Sequence, residues 1–490
     1  MKFLSKQWTQ TIFLGCLLLC ALSFSACLTG AKKTQKDYRT AETVKNGQKS
    51  QPGTRVRTNT GTSTVIKPPT KPSTEGYPNT NQPSNPNNTS TNPNDTNGNN
   101  SGHVSDTQDP EPVINPYHIA VMLPFNTSQY EAIGHFDSLP KSSNLALELY
   151  EGILMGAETL KQMEIPLDIK VYDTQKDVGE LRKILSQPEM EMTDLIIGPV
   201  YNSTLKEAAN FAQKNGVYMV APLSPSTKNT RQNPYYCIAN PTVETHCVQL
   251  YDYVSTTKSD AQVIAISGTK SSEVRLADLV YNYSIQKAGQ NTEGYNNNVF
   301  HRITYQQNSI EELESYLSPD RENVVMVTAF KEIMINDLLT KLNFLRTKYN
   351  ITVFGMPNWL NMKTLELEYL ANLNFHISQT IWADEKNPDY QAFNNAFMKN
   401  FSAKPSKNVL AGYDLMLYFG QMLQVHGEEN LGTYLNETPN THGILGSNYL
   451  FEGASPDQYS SQFMGTDYLE NKYVHILRYN PQTFTFEKVK

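Results

Sequence analysis

Charge, cysteine and long apolar runs are all scarce in this chain. Of its 490 residues, 18% are charged and five are cysteines, and the formal net charge is -7. An acidic chain whose basic residues are spread out lacks the electrostatic footprint of a nucleic-acid-binding protein, so no nucleic-acid partner is expected. The apolar run at residues 11–24 is too short for a comfortable membrane span. With 39% hydrophobic residues, a chain of this length can still hold two cored lobes plus unstructured sequence.

The sequence also lacks the motifs that mark common classes of enzyme. It contains no GxSxG, no phosphate-binding GxxxxGK, no GxGxxG and no metal-binding CxxC or HExxH. Ser203 and Lys206 match the SxxK of penicillin-recognising acyl enzymes, but the KTG and SDN partners of that motif are missing. We therefore expect a protein that is not an enzyme and that uses neither a cofactor nor a metal ion.

Residues 1–27 have the pattern of an export signal. Lys2 and Lys6 precede the apolar run, which ends in the letters FSAC at Cys27. This ending resembles a bacterial lipobox, in which the cysteine becomes the lipidated first residue of the mature protein. Buried acyl methylenes, at roughly 0.8 kcal/mol each, would then hold the chain on a membrane. An ordinary signal peptide cleaved near Ala26, with an incidental cysteine, is the alternative.

Residues 28–115 contain no segment that could form a core. The stretch 75–101 is almost entirely Asn, Thr, Pro, Ser and Gly, without apolar periodicity. We expect a disordered linker, and a coil of about 85 residues has a root-mean-square reach of roughly 50 Å. Joined to a lipidated cysteine, it would tether a folded domain at residues 116–490 to a membrane.

The most informative stretch of the folded part, residues 194–226, reads as strand, turn, helix and strand. The apolar run 195–197 stops at Gly198, and a helix opens at Asn202. A second apolar run at 217–220 follows the helix. Strands alternating with helices predict a parallel sheet, in which successive strands end at the same edge.

Polar residues follow both of these predicted strands. Ser203 and Thr204 stand at the start of the helix, Thr204 and Glu207 have capping-box spacing, and Ser224 and Ser226 follow the second strand. Because parallel strands share an edge, these two loops should line one crevice. Free amides at a helix start, beside hydroxyl groups, suit a carboxylate or another polar ligand head.

Several segments, taken in order, carry a resemblance to a known family. They are IAVMLPF at 119–125, LELYEGILMGAETL at 147–160, VYDTQKD at 171–177, and the run 194–226. Together they resemble the first lobe of type I periplasmic solute-binding proteins, the branched-chain amino-acid receptor group. The resemblance covers residues 117–490. It implies an α/β fold of two lobes, each a mostly parallel sheet flanked by helices.

The alternation of strands and helices continues to the end of the chain, where residues 473–479 and 483–489 predict a hairpin. In the resembled family the chain crosses between the lobes three times. The resemblance therefore implies crossings near residues 241–246, 383–387 and 441–446. It assigns 116–243 and 385–443 to the first lobe, and 244–384 and 444–490 to the second.

The resemblance also implies a ligand site between the lobes. Family members hold a ligand carboxylate with hydroxyls and amides of the first lobe and an ammonium group with an acidic residue of a second-lobe loop. The first-lobe candidates here are Asp173, Tyr201, Asn202, Ser203, Thr204, Ser224 and Ser226. The matching second-lobe loop reads GMPNW, so Asn358 offers a cation only a dipole, and Trp359 or Tyr201 could offer a stacking ring.

Cys237 and Cys247 are the cysteines of the predicted folded domain. We expect Cys237 at a strand end and Cys247 in the next helix, which is within reach of a disulfide, while two buried free thiols are the alternative. A metal site that also uses His246 is a further alternative, but three adjacent ligands lack a fourth.

Two functions fit these features. The first is an extracytoplasmic lipoprotein that captures a small polar solute between its lobes, with an ABC permease as its partner. The second follows from outer-membrane lipoproteins that resemble this fold and activate penicillin-binding proteins: an envelope scaffold that binds and regulates a peptidoglycan synthase. Either would be lipid-anchored in the bacterial envelope. The absence of an acidic residue directly after Cys27 favours the outer membrane, facing the periplasm.

Overall fold

The computed structural model describes residues 115–129, 140–290, 299–437, 442–443, 445–459 and 465–490. These residues form two lobes, each built on a seven-stranded sheet. The predicted export signal, its Cys27 and all but the last residue of the predicted linker lie outside the described residues. Within the described ranges, no helix has both the length and the apolar character required to cross a membrane.

Sixteen strands and ten α-helices are described, in the following order along the chain. The strands are β1 Tyr117–Leu123, β2 Leu167–Asp173, β3 Leu195–Ile197, β4 Tyr218–Ala221, β5 Tyr236–Ile238, β6 Gln262–Ser267, β7 Val299–Thr304, β8 Asn323–Val327, β9 Ile351–Gly355, β10 His376–Gln379, β11 His442–Gly443, β12 Asn448–Tyr449, β13 Phe451–Ala454, β14 Tyr468–Asn471, β15 His475–Asn480 and β16 Thr485–Lys488. The helices are α1 Lys141–Gln162, α2 Val178–Leu185, α3 Asn202–Asn215, α4 Val243–Thr257, α5 Ser271–Gln290, α6 Ile310–Glu314, α7 Glu332–Leu345, α8 Leu367–Asn372, α9 Pro388–Phe401 and α10 Lys407–Glu437, the last kinked at Gly427.

Both sheets are mostly parallel, as the sequence predicts. The first has the order β13-β14-β5-β4-β3-β1-β2, with only β13 antiparallel to its neighbour. The second has the order β16-β15-β10-β9-β8-β6-β7, in which β15 and β16 form the antiparallel hairpin predicted at the chain end. Alternate residues of β1 face opposite sides: Val121 packs with α1 and α10, whereas Met122 packs with α2 and α3.

The chain passes between the lobes three times, near residues 239–242, 380–387 and 472–474. The third crossing was predicted at 441–446, and that prediction is wrong. After that point β13 and β14 still join the first sheet, where β14 pairs in parallel with β5. Of residues 444–490, the second sheet therefore receives only the terminal hairpin. Sequence pattern alone does not reveal this pairing, because β5 and β14 are far apart in the chain.

Helices α1 and α10 of the first lobe approach each other through paired glycines. A Cβ atom added at Gly152 would lie 2.0 Å from the carbonyl oxygen of Val409, and one at Gly412 would lie 2.1 Å from that of Leu149. Only glycine leaves room for backbones at this separation. The two helices run in the same direction, since Gly420 similarly meets Leu160 two turns further along.

The possible Cys237–Cys247 disulfide is absent, because both cysteines are free and buried. Cys237 lies in the core of the first lobe and Cys247 in that of the second, where its Sγ is 3.8 Å from the Sδ of Met356. Predicting a bridge from sequence spacing overlooked the lobe boundary between the two residues. His246 instead pairs its Nδ1 with the Oγ of Ser378 at 2.9 Å, and burial lowers the pKa of His246 to about 4.

Candidate functional site

The carboxyl ends of the parallel strands in both sheets lie at the junction of the lobes. All three crossings leave directly from such an end, the first from β5, the second from β10 and the third from β14. A hydrogen bond of 2.7 Å from the Oγ1 of Thr380 to the Oδ1 of Asn240 joins the first two crossings. We call the space between the loops that follow β1–β5 and those that follow β6–β10 the cleft. In α/β proteins such strand ends are the usual location of a ligand.

The polar loops after β3 and β4 meet at the first-lobe edge of the cleft. Ser224 donates its hydroxyl hydrogen to the Oδ1 of Asn202 at 3.2 Å, and Asn229 donates from Nδ2 to the carbonyl oxygen of Asn202 at 3.5 Å. The Oγ of Ser226 accepts from the amide of Lys228 at 3.4 Å. Sequence reasoning expected these loops to share one crevice, and the hydrogen bonds between them confirm that they meet.

Gly198 allows the turn between β3 and α3 to pass close to β1. Its φ angle is +98°, in the region that favours glycine, and an added Cβ would lie 2.3 Å from the carbonyl oxygen of Met122. The backbone of the loop can therefore approach the neighbouring strand end, which places the start of α3 at the cleft edge.

The first turn of α3 presents Asn202 and Ser203 to solvent. Tyr201 is the N-cap residue, and no side chain caps the helix. The predicted capping box is not formed, because Glu207 pairs with Arg182 at 2.9 Å instead. Thr204 is fully buried and donates its hydroxyl hydrogen to the carbonyl oxygen of Tyr201 at 2.9 Å. Thr204 is therefore not available to bind a ligand, whereas Ser203 remains a candidate.

Two further first-lobe candidates already have partners. The Asp173 carboxylate accepts hydrogen bonds from the amides of Asn126 at 3.0 Å, Thr127 at 2.7 Å and Gln175 at 2.9 Å, and from the Thr127 hydroxyl at 2.8 Å. It orders the loop after β1 and is not free to bind a ligand. The Nζ of Lys176 lies 4.3 Å from the centre of the Tyr201 ring, a cation–π distance.

On the second-lobe side, Trp359 belongs to the core. Its side chain is fully buried, stacks on Phe375 with ring centres 5.6 Å apart, and donates from Nε1 to the carbonyl oxygen of Ala329 at 3.1 Å. The prediction that Trp359 could stack on a ligand is therefore wrong, because packing and its buried N–H both hold the ring inward. Asn358, in contrast, keeps its Oδ1 buried without a hydrogen-bond partner among the described residues.

Acidic groups near the second-lobe edge of the cleft are occupied by the protein itself. Glu273 accepts from the amide of Phe330 at 3.2 Å. Glu332 accepts from the amides of Lys363 and Thr364, both at 2.9 Å, and from the Thr364 hydroxyl at 2.6 Å. These two carboxylates hold the loops after β6, β8 and β9 in place. Both carboxylates therefore already have partners within the protein.

Sequence reasoning missed a contact that spans the cleft. Lys407, at the start of α10, donates from Nζ to the Oε1 of Gln379 at 3.0 Å. Gln379 ends β10 of the other lobe and donates from Nε2 to the carbonyl oxygen of Pro357 at 2.9 Å. No motif marks these residues, so only the folded chain brings them together.

A buried ionic network holds the first and third crossings together. Lys472 donates from Nζ to the Oε2 of Glu470 at 2.6 Å, with both side chains almost fully buried. The other oxygen, Oε1, accepts from the hydroxyls of Thr242 at 2.7 Å and Thr245 at 2.6 Å. Burial alone would raise the pKa of Glu470, but Lys472 and these hydroxyls outweigh it and lower the pKa to about 2.

Comparison with known proteins identifies the fold. The structure is similar to a putative branched-chain amino acid ABC transporter protein from Rhodospirillum rubrum, with a TM-score of 0.54 and 12% identity over 76% of this chain and 100% of the other. It is also similar to the C-domain of LpoA from Haemophilus influenzae, described as a regulator of PBP1A, with a TM-score of 0.50 and 12% identity over 76% and 100% of the two chains. No protein-family model matches the sequence. No curated protein matches it either. The chain therefore has the two-lobed fold that both neighbours share.

Proposed function

We propose that this protein is an extracytoplasmic binding protein that captures a small polar solute in the cleft. The observation that supports it best is the exposed, uncapped first turn of α3, where Ser203 stands beside the polar loop of Ser224 at the edge facing the other lobe. Helix amides and hydroxyls at a strand end are groups that bind a polar ligand head. The candidate residues are Tyr201, Asn202, Ser203, Ser224 and Ser226 from the first lobe and Asn358 from the second.

In this proposal the protein binds but does not catalyse, and it delivers its solute to an ABC permease. The folded domain works at a distance from a membrane, held by a lipid on Cys27 and by the linker 28–115. The apolar run before Cys27 is too short to span a membrane comfortably, and the segment after Cys27 cannot form a core. In this proposal the lipid therefore acts as the membrane anchor and the linker as the tether.

A Cys27→Ala variant tests the anchor. It is expected to lose fatty-acid labelling and to move from the membrane fraction to the soluble fraction, because the lipidated thiol is gone. A Cys237→Ala variant is the matched control, since that thiol is buried in the first lobe. Equal membrane retention of the Cys27→Ala and Cys237→Ala proteins would exclude the lipoprotein proposal.

A thermal-shift screen with amino acids, short peptides, sugars and cell-wall fragments tests solute capture. A true ligand should stabilise the fold by about 2.7 kcal/mol at a hundredfold excess over its dissociation constant. Ser203→Ala removes one hydroxyl hydrogen bond and should weaken that ligand roughly 2- to 12-fold. Asn210→Ala, exposed two turns further along α3, should leave affinity unchanged. Failure of every compound to shift the melting temperature would count against solute capture.

The second candidate function, a scaffold that binds a peptidoglycan synthase, is favoured by a different observation. Glu273 and Glu332 at the second-lobe edge both accept hydrogen bonds from the protein itself, whereas amino-acid receptors hold an ammonium group with a carboxylate of the second lobe. A lipid anchor and a long linker also suit a protein that reaches across the periplasm. Co-purification of a cell-wall synthase, combined with no solute hit in the screen, would favour this function over the first.

A further inference from the structure

The side chain of Lys407 lies at the cleft end of the first lobe. Helix α1 follows β1 in a parallel sheet, so its N-terminal half lies at the carboxyl edge. Helix α10 runs in the same direction, because Gly152 meets Val409 near its start and Leu160 meets Gly420 further along. Lys407, the first residue of α10, is therefore placed at the same edge as the polar loops after β3 and β4.

The ammonium group of Lys407 reaches the second lobe. Its Nζ lies 3.0 Å from the Oε1 of Gln379, and Gln379 in turn holds Pro357 at 2.9 Å. Gln379 is buried, with 8% of its surface exposed, so its amide is fixed in position. Asn358 directly follows Pro357, and its Oδ1 is buried with no partner in the described part of the chain. Lys407 of the first lobe is thus joined through Gln379 to the second-lobe loop that holds Asn358.

Within the described residues, Lys407 forms no salt bridge. Its side chain is exposed to solvent, yet desolvation by the surrounding protein lowers its pKa. Its described hydrogen-bond partner, Gln379, is neutral. Glu148 on α1 accepts instead from the Oγ of Ser406 at 3.0 Å and from the Nδ2 of Asn408 at 2.8 Å.

The position of Lys407 at the start of a helix is a second feature that disfavours its positive charge. The N-terminus of a helix carries a partial positive charge, so a cation at its first residue is unfavourably placed. Desolvated charges in proteins are ordinarily paired, and an unpaired charge in a cleft is typical of a functional site. An anion bound beside Lys407 would offset both the energetic cost of its desolvation and its repulsion from the helix end.

Exposed lysines occur in several loops that follow parallel strands of both lobes. They follow strands β2, β4, β6, β8 and β9 and are Lys176, Lys228, Lys270, Lys331 and Lys363. These lysines supply further cations to the loops at the carboxyl edges of the two sheets.

We propose that Lys407 is the anchor for an anionic group, a carboxylate or a phosphate, on the solute that the cleft captures. The solute needs no free ammonium group, since Glu273 and Glu332 at the second-lobe edge already accept hydrogen bonds from the protein. This inference rests on the proposed solute-binding function and names the chemical class of the solute.

Titration calorimetry on the full-length protein at low ionic strength tests the anchor with defined probes. Acetate, succinate, citrate and N-acetylglycine represent carboxylates, inorganic phosphate represents phosphates, glycine and leucine are zwitterions, and glucose is neutral. We expect an anionic probe to bind and Lys407→Met to weaken it roughly 10- to 150-fold, the loss of one charge-assisted hydrogen bond. Lys407→Arg should retain part of the affinity, and Lys404→Met, an exposed lysine three residues earlier, should retain all of it.

Each result of the calorimetry either supports or overturns Lys407 as the anion anchor. If carboxylates bind through Lys407 and phosphate does not, the solute is a carboxylate, and the reverse result identifies a phosphate. If any of these probes binds and Lys407→Met has no effect, the anion anchor is overturned while solute capture stands. If no anionic probe binds the wild-type protein, the anion anchor is also overturned, and the thermal-shift screen alone decides solute capture. Unchanged melting temperatures of the free Lys407 variants establish that they are folded.

Discussion

Replacement of Glu470 by alanine is expected to lower the free energy of unfolding by about 3–5 kcal/mol, because it leaves the Lys472 ammonium buried without its carboxylate. Both side chains are nearly inaccessible to water, and the ammonium lies 2.6 Å from the carboxylate. The same substitution also removes the acceptor shared by Thr242 and Thr245, which joins the first crossing to β14. Urea unfolding followed by circular dichroism measures the loss.

Glu452→Ala is the matched control for Glu470→Ala. Glu452 lies directly opposite Glu470 in the register of β13 and β14, but its side chain is exposed. A surface substitution of this kind should change the free energy of unfolding by no more than about 0.5 kcal/mol. Comparable losses in the two variants would mean that the buried ion pair is not what stabilises this junction.

The pH dependence of stability should also report on Glu470. Its pKa in the folded protein is about 2, below the ordinary value of 4.5. As the pH falls below about 4.5 the unfolded chain takes up the proton first, so stability is lost progressively between about 4.5 and 2. The Glu470→Ala protein should show a correspondingly shallower acid transition in that range.

Gly152→Ala is expected to lower the free energy of unfolding by roughly 3 kcal/mol or more, the upper end for overpacked cores. The added Cβ would lie 2.0 Å from the carbonyl oxygen of Val409 and 2.7 Å from the amide nitrogen of Tyr413. Both of these atoms belong to the backbone of α10, so a helix must move rather than a side chain. Thermal and urea unfolding, together with soluble yield, measure the effect.

The same substitution at two other glycines separates crowding from helix propensity. Gly156→Ala places its Cβ 2.9 Å from the Cβ of Met416, so a smaller loss is expected. Gly289, near the end of α5, has no neighbour within 4 Å of an added Cβ. Alanine there should be neutral or stabilising by up to about 1 kcal/mol, since alanine is the better helix former. Equal effects at all three positions would contradict the close packing of α1 and α10.

Local sequence predicts much of this structure, and the reason is visible in the run 194–226. Apolar runs at 195–197 and 217–220 form β3 and β4, and the intervening segment forms α3. Gly198 marks the turn because only glycine fits its φ angle and its distance to Met122. Such patterns depend on residues that are close together in the sequence, so they can be recognised without knowledge of the rest of the fold.

The candidate site could be predicted only in part, because side-chain type does not reveal which way a side chain points. Ser203 is exposed as expected, but Thr204, the next residue, donates into its own helix turn. Trp359 follows a strand end as the sequence suggests, yet its N–H is satisfied inside the core by Ala329. Asp173 lies at the correct edge and is fully engaged by the loop after β1.

By itself, the sequence determined the α/β class, the strand–helix–strand order of residues 194–226, and the meeting of the loops after β3 and β4, because periodicity and turn residues are local properties. Only the tertiary structure decided that β13 and β14 close the first sheet, that Cys237 and Cys247 lie in different cores, and that Lys407 meets Gln379 across the cleft. Each of these depends on contacts with elements that are far away in the chain. Their contacts are selected by the packing of whole lobes, which no local pattern encodes.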